Sequence, residues 1–265
     1  MSTPKISTDQ PVDQFVQELD STYPLSKYLR EHIPYKTIPR VYRNEEVELL
    51  NEPGLPWLIM VNGIVGSGKS SLAAQLEERG LVTRVKTATT RLRRHGEDGF
   101  AFKFMRLRKG DESIEQYHEN LINEYELIES STTHGNLYGL PKSSLDEALA
   151  AGRTPLIVNE PDAVLELRRK LKGLFNIAVV FVMPDSWSDS FHRIDSSGAV
   201  RDNLKQRFVD SVEMLRQSES TAHFYLHNAQ FPLDAIYRTG FEEACEYFYQ
   251  LVSDIVTPGA QASGL

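Results

Sequence analysis

Gly63-Ile64-Val65-Gly66-Ser67-Gly68-Lys69-Ser70 is the stretch of sequence that decides the fold. The apolar run at residues 57–61 comes shortly before it and predicts a strand buried on both faces. Residues 71–77 follow it directly and predict a helix. A strand, a loop of pattern Gly-x-x-x-x-Gly-Lys-Ser and a helix, in that order, form a P-loop, which binds the phosphates of a nucleoside triphosphate. The flanking strand and helix argue against the alternative, an ordinary Gly/Ser turn.

Each residue type in this loop has a chemical reason. Glycine lets the backbone turn tightly, so that successive N–H groups point at phosphate oxygens. We expect Lys69 to reach the β- and γ-phosphates and the Ser70 hydroxyl to ligate Mg²⁺. Ser71 falls one position beyond the metal ligand and is the next helix residue. The predicted ATP-binding residues of this segment are Gly63, Gly66, Ser67, Gly68, Lys69, Ser70 and Ser71.

Apolar runs alternate with helical segments after the loop. Strands are predicted at residues 155–158, 177–183 and 224–226, and helices at residues 143–151, 163–172, 200–219 and 241–256. Such alternation predicts an α/β fold with a parallel sheet covered by helices on both faces. The chain is therefore predicted to have the three-layer fold of P-loop NTPases.

Residues 1–55 precede this pattern and predict an N-terminal extension that packs on the main domain. Val12, Phe15, Val16 and Leu19 have helical spacing, whereas several prolines break the rest into short pieces. We expect the first ten residues and the tail at residues 258–265 to be disordered.

Composition limits the classes of function. The 265 residues are 40% hydrophobic and have a formal net charge of −8, which argues against a broad nucleic-acid-binding face. The single cysteine, Cys245, excludes an intramolecular disulfide and a cysteine-cluster metal site, and we expect it to be a packed apolar residue. The single cysteine fits a reducing, cytoplasmic location. No apolar stretch is long enough to cross a bilayer, so we expect no membrane association.

Two later segments of the chain bear on the substrate that accepts the phosphoryl group. The first is Thr87-Ala88-Thr89-Thr90-Arg91-Leu92-Arg93-Arg94-His95-Gly96-Glu97, and the second is Glu129 followed by Gly135-Asn136-Leu137-Tyr138-Gly139. With the P-loop, they resemble the guanylate kinase family, whose members carry Ser-x-Thr-Thr-Arg-x-x-Arg-x-Gly-Glu and then a Glu followed by Gly-Asn-x-Tyr-Gly. The resemblance implies one domain at residues 56–257, in which residues 85–142 bind a nucleoside monophosphate and residues 190–203 form a lid.

The resemblance implies roles for residues that bind the acceptor. Arg91 and Arg94 match the arginines that hold the acceptor phosphate, a role that suits the planar guanidinium. Tyr138 matches a tyrosine that reaches the same phosphate, and Thr87 stands where the family has Ser. Glu129 matches the carboxylate that accepts hydrogen bonds from the Watson–Crick edge of guanine. Without the motifs, these residues would be interpreted as a solvated or RNA-contacting basic face, a core tyrosine and a surface carboxylate.

The resemblance also implies roles on the donor side, the part of the site that binds ATP, the phosphoryl donor. Asn228 resembles the late strand-end asparagine of the family near the donor base, so it joins the predicted ATP-binding residues. Arg193 and Arg207 are the better candidates for lid arginines, and with Lys69 they form the predicted catalytic set.

Three departures from the family pattern affect the acceptor side. Phe102 stands where the family has a tyrosine, so one hydroxyl near the acceptor phosphate is lost. Leu140 stands where the family has Ser or Thr donating to guanine O6, which leucine cannot do. Asn159 stands where the family has Asp; we expect it to contact the acceptor, and the adjacent Glu160 is a second candidate Mg²⁺ ligand after Ser70.

These features predict ATP- and Mg²⁺-dependent phosphoryl transfer to a nucleoside monophosphate, with GMP or dGMP favoured. The attacking phosphate is already an anion, so catalysis needs positioning and charge neutralisation rather than a strong base. One alternative is a kinase of the same fold for a modified nucleotide or a sugar phosphate, which Phe102 and Leu140 favour. Another is a binding module that does not catalyse, against which the intact P-loop argues. The sequence predicts neither the oligomeric state nor the role of residues 1–55.

Overall fold

The computed structural model describes residues 10–25, 40–93, 102–133, 135–159, 161–196, 203–230 and 239–257. In chain order, the elements are α1 (Val12–Thr22), β1 (Val41–Arg43), β2 (Trp57–Gly63), α2 (Lys69–Glu78), β3 (Val82–Arg84), β4 (Thr87–Thr89), β5 (Phe102–Phe104), α3 (Ile114–Glu124), β6 (Leu127–Thr133), β7 (Asn136–Pro141), α4 (Lys142–Ala150), β8 (Thr154–Val158), α5 (Pro161–Lys170), β9 (Asn176–Met183), α6 (Trp187–Ser196), α7 (Leu204–Thr221), β10 (Phe224–His227) and α8 (Gly240–Val256).

A six-stranded sheet forms the centre of the described part of the chain. Its strand order is β1-β10-β9-β2-β8-β3, and every neighbouring pair is parallel except β1 with β10. β2 and β9 lie side by side in the middle, where their near-continuous apolar residues are buried. The predicted parallel sheet is thus confirmed, and the P-loop leaves the carboxyl end of a central strand.

Helices cover both faces of this sheet. On one face, α2 and α8 bury Leu72 and Phe248 against strand residues such as Ile59. On the other face, α6 and α7 bury Trp187 and Phe208 in a separate core cluster. The predicted three-layer arrangement is therefore confirmed.

A helix occupies the start of the predicted lid at residues 190–203, where the sequence analysis predicts none. This helix, α6, places Trp187, Ser190 and Ile194 on its buried side, at helical spacings of three and four residues. Residues 197–202 lie outside the described part of the chain. The helix predicted from residue 200 begins later, at Leu204, because Asn203 has a left-handed backbone with φ 55°.

A second sheet, of four strands, stands between β3 and α4 in the chain. Its order is β5-β4-β7-β6, with β4 parallel to β5 and antiparallel to β7, and β6 antiparallel to β7. α3 covers it with the buried side chains of Tyr117 and Leu121, and begins at a capping box formed by Ser113 and Gln116. This small sheet lies within residues 85–142, the segment expected to bind a nucleoside monophosphate.

The N-terminal extension contributes to the main domain in two places. β1 pairs with β10 at the edge of the central sheet, and α1 buries Phe15, Val16 and Leu19 against α6 and α7. Arg40, just before β1, forms a fully buried ion pair with Glu243 of α8. The central sheet therefore includes chain on both sides of the predicted boundary at residue 55. Of the ends predicted to be disordered, residues 1–9 and 258–265 lie outside the described residues, whereas Gln10 is described and its side-chain amide donates to the Glu18 carboxylate.

Two smaller expectations concern single features. Cys245 is buried in the core beside α2, so its prediction as a packed apolar residue is confirmed. Across the described ranges, no helix combines the length and the apolarity that spanning a membrane requires.

Candidate active site

A cavity of about 1050 Å³ lies between the P-loop, the small sheet and the helices α6 and α7. From the predicted ATP-binding and catalytic residues, its walls include Gly63, Gly66, Ser67, Gly68, Lys69, Ser70, Ser71, Arg193, Arg207 and Asn228. From the predicted acceptor-binding residues, they include Thr87, Arg91, Glu129, Tyr138 and Asn159. Arg94 and Glu160 lie outside the described residues. The volume is slightly above the usual range of about 300–1,000 Å³ for small-ligand sites, which suits a site for two substrates.

The shape of the P-loop depends on close packing against two other elements. Gly68, which precedes α2, has φ 91°, and a Cβ atom there would clash with the Asn228 amide at the end of β10. Gly66 has φ 72°, and a Cβ atom there would clash with Ser190 of α6. Residues other than glycine are therefore excluded at positions 66 and 68 for two reasons, the positive φ of the backbone and the lack of space for a Cβ atom.

The Lys69 ammonium lies against the backbone of its own loop. Its Nζ donates hydrogen bonds to the carbonyl oxygens of Gly63 at 2.6 Å and Ile64 at 2.8 Å. Lys69 is also the first residue of α2, whose amino end carries a partial positive charge. The loop backbone, this helix end and the ammonium together form a site for phosphate oxygens.

Asn228 connects the P-loop with the arginine of α6. Its Nδ2 donates to the Ser67 carbonyl oxygen at 2.8 Å, and its own carbonyl oxygen accepts from an Arg193 Nη atom at 2.8 Å. Arg193 also pairs with Asp189 one helical turn earlier, at 2.8 Å. Burial raises the pKa of Asp189, and the Arg193 charge opposes that rise. Asn228, predicted from the resemblance to lie near the donor base, is thus in contact with the phosphate loop itself.

Asp185 and His227 form a second polar pair at this end of the sheet. The carboxylate lies 2.8 Å from His227 Nε2 and also accepts from the Gln230 backbone N–H at 2.7 Å. Burial raises the pKa of Asp185, but the hydrogen bonds from His227 and Gln230 outweigh it and leave the pKa below its usual value. The pair orders the chain just after Asn228, and the sequence analysis does not identify it, because its two members are far apart in the chain.

Aromatic rings hold Arg91 on the acceptor side. Its guanidinium carbon lies 5.1 Å from the ring centroid of Phe102 and 5.6 Å from that of Phe104. The edge of Tyr138 packs against Phe102, with 6.3 Å between the ring centroids. Phe102 lacks the hydroxyl that the family has, but it provides a cation–π surface for the arginine that is predicted to hold phosphate.

Glu129 is a buried carboxylate on the wall of the cavity. It lies on β6 and is 5% exposed, and its Oε1 has no hydrogen-bond partner. Burial raises the pKa of Glu129 to about 7, with Glu166 adding to the rise and Lys170 opposing it. The interpretation of Glu129 as a surface charge is therefore wrong. A buried acceptor without a donor is the arrangement expected where a ligand supplies the donors.

Leu140 is directly opposite Glu129 in the β6–β7 pair, yet it is not part of the cavity wall. It is 1% exposed and belongs to the main hydrophobic core. The wall instead includes Ser131, two residues beyond Glu129 on β6 and opposite Tyr138. Side chains two apart in a strand share a face, so Ser131 presents its hydroxyl on the same side as the Glu129 carboxylate. Sequence analysis could have found Ser131 from this alternation.

Several polar atoms around the P-loop are buried without a partner in the described part of the chain. They are the Ser67 hydroxyl, the Asn228 Oδ1 and both amide atoms of Asn62 and Asn159. An unpaired buried polar group costs about 1–3 kcal/mol, so a polar ligand fits here. Among the described residues, no group of three or more His, Cys, Asp or Glu could hold a metal alone. The hydroxyl of Ser70 and the amide oxygen of Asn159 nevertheless suit a hydrated Mg²⁺ shared with substrate phosphates.

Comparisons with known proteins agree with this geometry, although no family model matches the chain. It is similar to the guanylate kinase of Bartonella quintana (strain Toulouse), 30% identical over 180 residues that cover 63% of this chain and 77% of that protein. It is also 30% identical to the guanylate kinase of Clostridium tetani (strain Massachusetts / E88) over 165 residues, 61% of this chain and 73% of that protein.

The fold is similar to that of a solved structure as well. The crystal structure of guanylate kinase from Anaplasma phagocytophilum superposes with a TM-score of 0.54 at 18% identity, covering 82% of this chain and 94% of that one. The likeness in structure supports the fold, and the similarity in sequence to the Bartonella and Clostridium enzymes supports the family. This chain belongs to the guanylate kinase family.

Proposed function

We propose that this protein transfers the γ-phosphoryl group of ATP to GMP or dGMP. The observation that carries the proposal is a single cavity with a P-loop on one side and the buried, unpaired Glu129 carboxylate on the other. A triphosphate site alone would suit many ATPases. A phosphate loop facing a carboxylate able to read a base suits a kinase with a nucleotide acceptor.

The single buried Cys245 suits a reducing, cytoplasmic compartment.

The donor side binds the triphosphate through backbone and charge. Loop N–H groups, the amino end of α2 and Lys69 would surround the β- and γ-phosphates. Ser70 would hold Mg²⁺, with Asn159 as a further oxygen ligand or a hydrogen-bond partner of its waters; when bound, the metal neutralises charge on the phosphates. Ser71, also on the cavity wall, lies one position further along α2.

Charge neutralisation at the transferred group falls to Lys69, Arg193 and Arg207. The Arg193 guanidinium is already fixed beside the loop by Asp189 and by the Asn228 carbonyl oxygen. Such prior positioning means that little reorganisation is needed during the reaction. The acceptor phosphate is itself the nucleophile, so no side chain needs to act as a strong base.

The acceptor phosphate would be held by Arg91, Thr87 and Tyr138, all on the cavity wall, with Arg94 as a further candidate. The stacking of Arg91 on Phe102 and Phe104 limits the orientations of its guanidinium. A limited set of orientations favours two parallel hydrogen bonds to one phosphate.

Base recognition is assigned to Glu129 and Ser131. Guanine presents two donors, N1–H and N2–H, next to one acceptor, O6, along its Watson–Crick edge. The Glu129 carboxylate can accept from the donors, and the Ser131 hydroxyl can donate to O6. Successive same-face positions on a strand are about 6.6 Å apart, which two side chains can bridge to one base edge. Leu140 has no part in this recognition because it is buried in the core.

A coupled assay for ADP release tests the proposal. Purified protein with ATP and Mg²⁺ is given GMP, dGMP, AMP, CMP, UMP or dTMP in turn, and turnover with only the two guanine nucleotides is expected. Turnover with a different base would overturn the assignment of Glu129 and Ser131. No turnover with any acceptor, together with binding of GMP by calorimetry, would instead identify a binding module.

A further inference from the structure

The N-terminal helix α1 lies outside the segment that resembles the guanylate kinase family, yet it is part of the core beside the active site. Phe15 and Leu19 are fully buried in the same hydrophobic cluster as Trp187 and Phe208. The rings of Trp187 and Phe208 are in edge-to-face contact, with centroids 6.1 Å apart. α1 is therefore packed against the first turn of α6 rather than loosely attached to the surface.

Asp20 of α1 caps the amino end of α6. Its carboxylate oxygens accept hydrogen bonds from the backbone N–H groups of Trp187 at 2.8 Å and Ser188 at 3.0 Å, and from the Ser188 hydroxyl. The Trp187 indole N–H donates to the Tyr23 carbonyl oxygen at 2.8 Å, just after α1. The first N–H groups of a helix have no partner within it, and a carboxylate also complements the positive helix end. The partner here comes from more than 160 positions earlier in the chain.

The other side of α6 contacts the P-loop. The Ser190 hydroxyl donates to the Val65 carbonyl oxygen inside the loop. Arg193 reaches the Asn228 carbonyl oxygen at 2.8 Å. Trp187 and Arg193 are six residues apart, about 9 Å along the helix axis. A short, straight helix thus connects the Asp20 carboxylate to the arginine proposed to act in catalysis.

We propose that Asp20 is a positioning residue for phosphoryl transfer. It fixes the start of α6, and α6 in turn holds Ser190 on the loop and Arg193 beside it. The N-terminal extension is then a working part of the donor site in this chain. The proposal rests on the proposed catalytic role of Arg193.

The test compares Asp20→Asn with Asp13→Asn. Asparagine has the shape of aspartate, but it removes the charge and replaces one acceptor oxygen with a donor group that faces a backbone N–H, that of Trp187 or that of Ser188. Asp13 is an exposed residue on the same helix, so its variant removes the same charge without touching α6. We expect Asp20→Asn to lower kcat about tenfold with KM for GMP unchanged, because a misplaced donor-side group affects the chemical step. Asp13→Asn should match the wild type.

Repeating the comparison in an Arg193→Ala background distinguishes a positioning role of Asp20 from a role in stability alone. If Asp20 acts through Arg193, Asp20→Asn should lower kcat less than twofold there. An equal loss in both backgrounds, or a lower melting temperature with kcat unchanged at 25 °C, would overturn the proposal. Absence of phosphoryl transfer in the wild type would instead count against the proposed function. Asp20→Glu, which keeps the charge, should recover part of the lost kcat.

Discussion

The donor and acceptor sides of the cavity are built in different ways. The phosphate loop of the donor side is one continuous segment, from Gly63 to Ser71, that leaves a central strand of the six-stranded sheet. The acceptor side is assembled from β4, β5, β6 and β7, and its residues Thr87 and Tyr138 are about fifty positions apart. The donor side binds mainly through backbone geometry, whereas the acceptor side binds through side chains. The P-loop matches its pattern fully, whereas the acceptor segment departs from the family pattern at Phe102 and Leu140.

The largest expected effect is on the donor side, with Lys69→Ala. Removing the ammonium should lower kcat by about 10²–10³-fold, because its charge is directed at the transferred phosphoryl group. Steady-state kinetics with GMP measures this, and circular dichroism should show an unchanged fold. Lys172→Ala, at an exposed lysine outside the cavity, is the matched control. If Lys69→Ala kept most of the activity, the donor site would be elsewhere.

Gly68→Ala tests whether backbone geometry governs the donor side. The new Cβ would clash with Asn228 and displace the loop, so kcat should fall about 10²-fold. Gly80→Ala is a close control, because Gly80 also has a positive φ, 78°, but has open space around it. That variant should lose about 1–2 kcal/mol of unfolding free energy and little activity. Equal losses of kcat in both variants would show that backbone strain, and not the clash with Asn228, lowers kcat.

Glu129→Gln tests the side-chain character of the acceptor side. Hydrogen bonds to a charged group are worth about 1.5–3 kcal/mol, so kcat/KM for GMP should fall about 10–150-fold with KM for ATP unchanged. In the wild type, KM for GMP should rise as the pH falls below about 7, since the raised pKa of Glu129 leaves the carboxyl protonated. The GMP phosphate titrates near pH 6 with either enzyme, so the difference between the two pH profiles isolates Glu129. Identical profiles would contradict the assignment.

The same variant should be more stable than the wild type at high pH. The folded-state pKa of Glu129 is about 7, above its ordinary value of 4.5, so the folded protein favours the protonated form. The resulting stability is present below pH 4.5 and is lost as the pH rises to 7. Glutamine does not ionise, so the Glu129→Gln variant keeps its stability as the pH rises. The variant should therefore melt at a higher temperature than the wild type, and the difference should be larger at pH 8 than at pH 5. A lower melting temperature at pH 8 would show that the ionised carboxylate has a stabilising partner.

The smallest expected effect is that of Ser131→Ala. One neutral hydrogen bond is worth about 0.5–1.5 kcal/mol, so kcat/KM for GMP should fall about 2- to 13-fold. With 2-aminopurine ribonucleoside monophosphate, which has hydrogen in place of O6 and no proton on N1, the enzyme should bind more weakly, and the same substitution should have no further effect. Ser130→Ala, on the opposite face of β6, is the control. An equal loss with both acceptors would show that Ser131 does not read O6.

The same contrast determines what could be predicted from the sequence. Residues 63–71 form a site with their own backbone, so the motif alone predicts the donor loop and its place after a buried strand. Arg91, Glu129 and Tyr138 were identified only through the resemblance, and the structure brings them to the same cavity. Roles for Arg94 and Glu160 stay predictions. Leu140 shows the limit of the pattern, because a matched position does not indicate whether a side chain reaches the cavity or packs in the core.

Contacts between distant segments were beyond sequence reasoning. Asp20 is an ordinary helix residue by its spacing, and only the folded chain places it at the start of α6. Asp189 and Arg193 are four residues apart, so their ion pair was predictable once α6 was recognised as a helix. The extension at residues 1–55 gave no functional signal, because its role depends on what it packs against.

The buried ion pair between Arg40 and Glu243 has a practical consequence for anyone who trims this chain. Both side chains are fully buried, and Arg40 precedes the edge strand β1, well before the segment shared with the family. Expressing only residues 56–257, the domain that the sequence motifs delimit, would remove Arg40 and leave the Glu243 carboxylate without this counter-ion. Breaking a buried pair in this way costs about 3–5 kcal/mol, a large share of the stability of a typical domain. The smallest unit that folds well is therefore longer than the smallest unit that can be recognised.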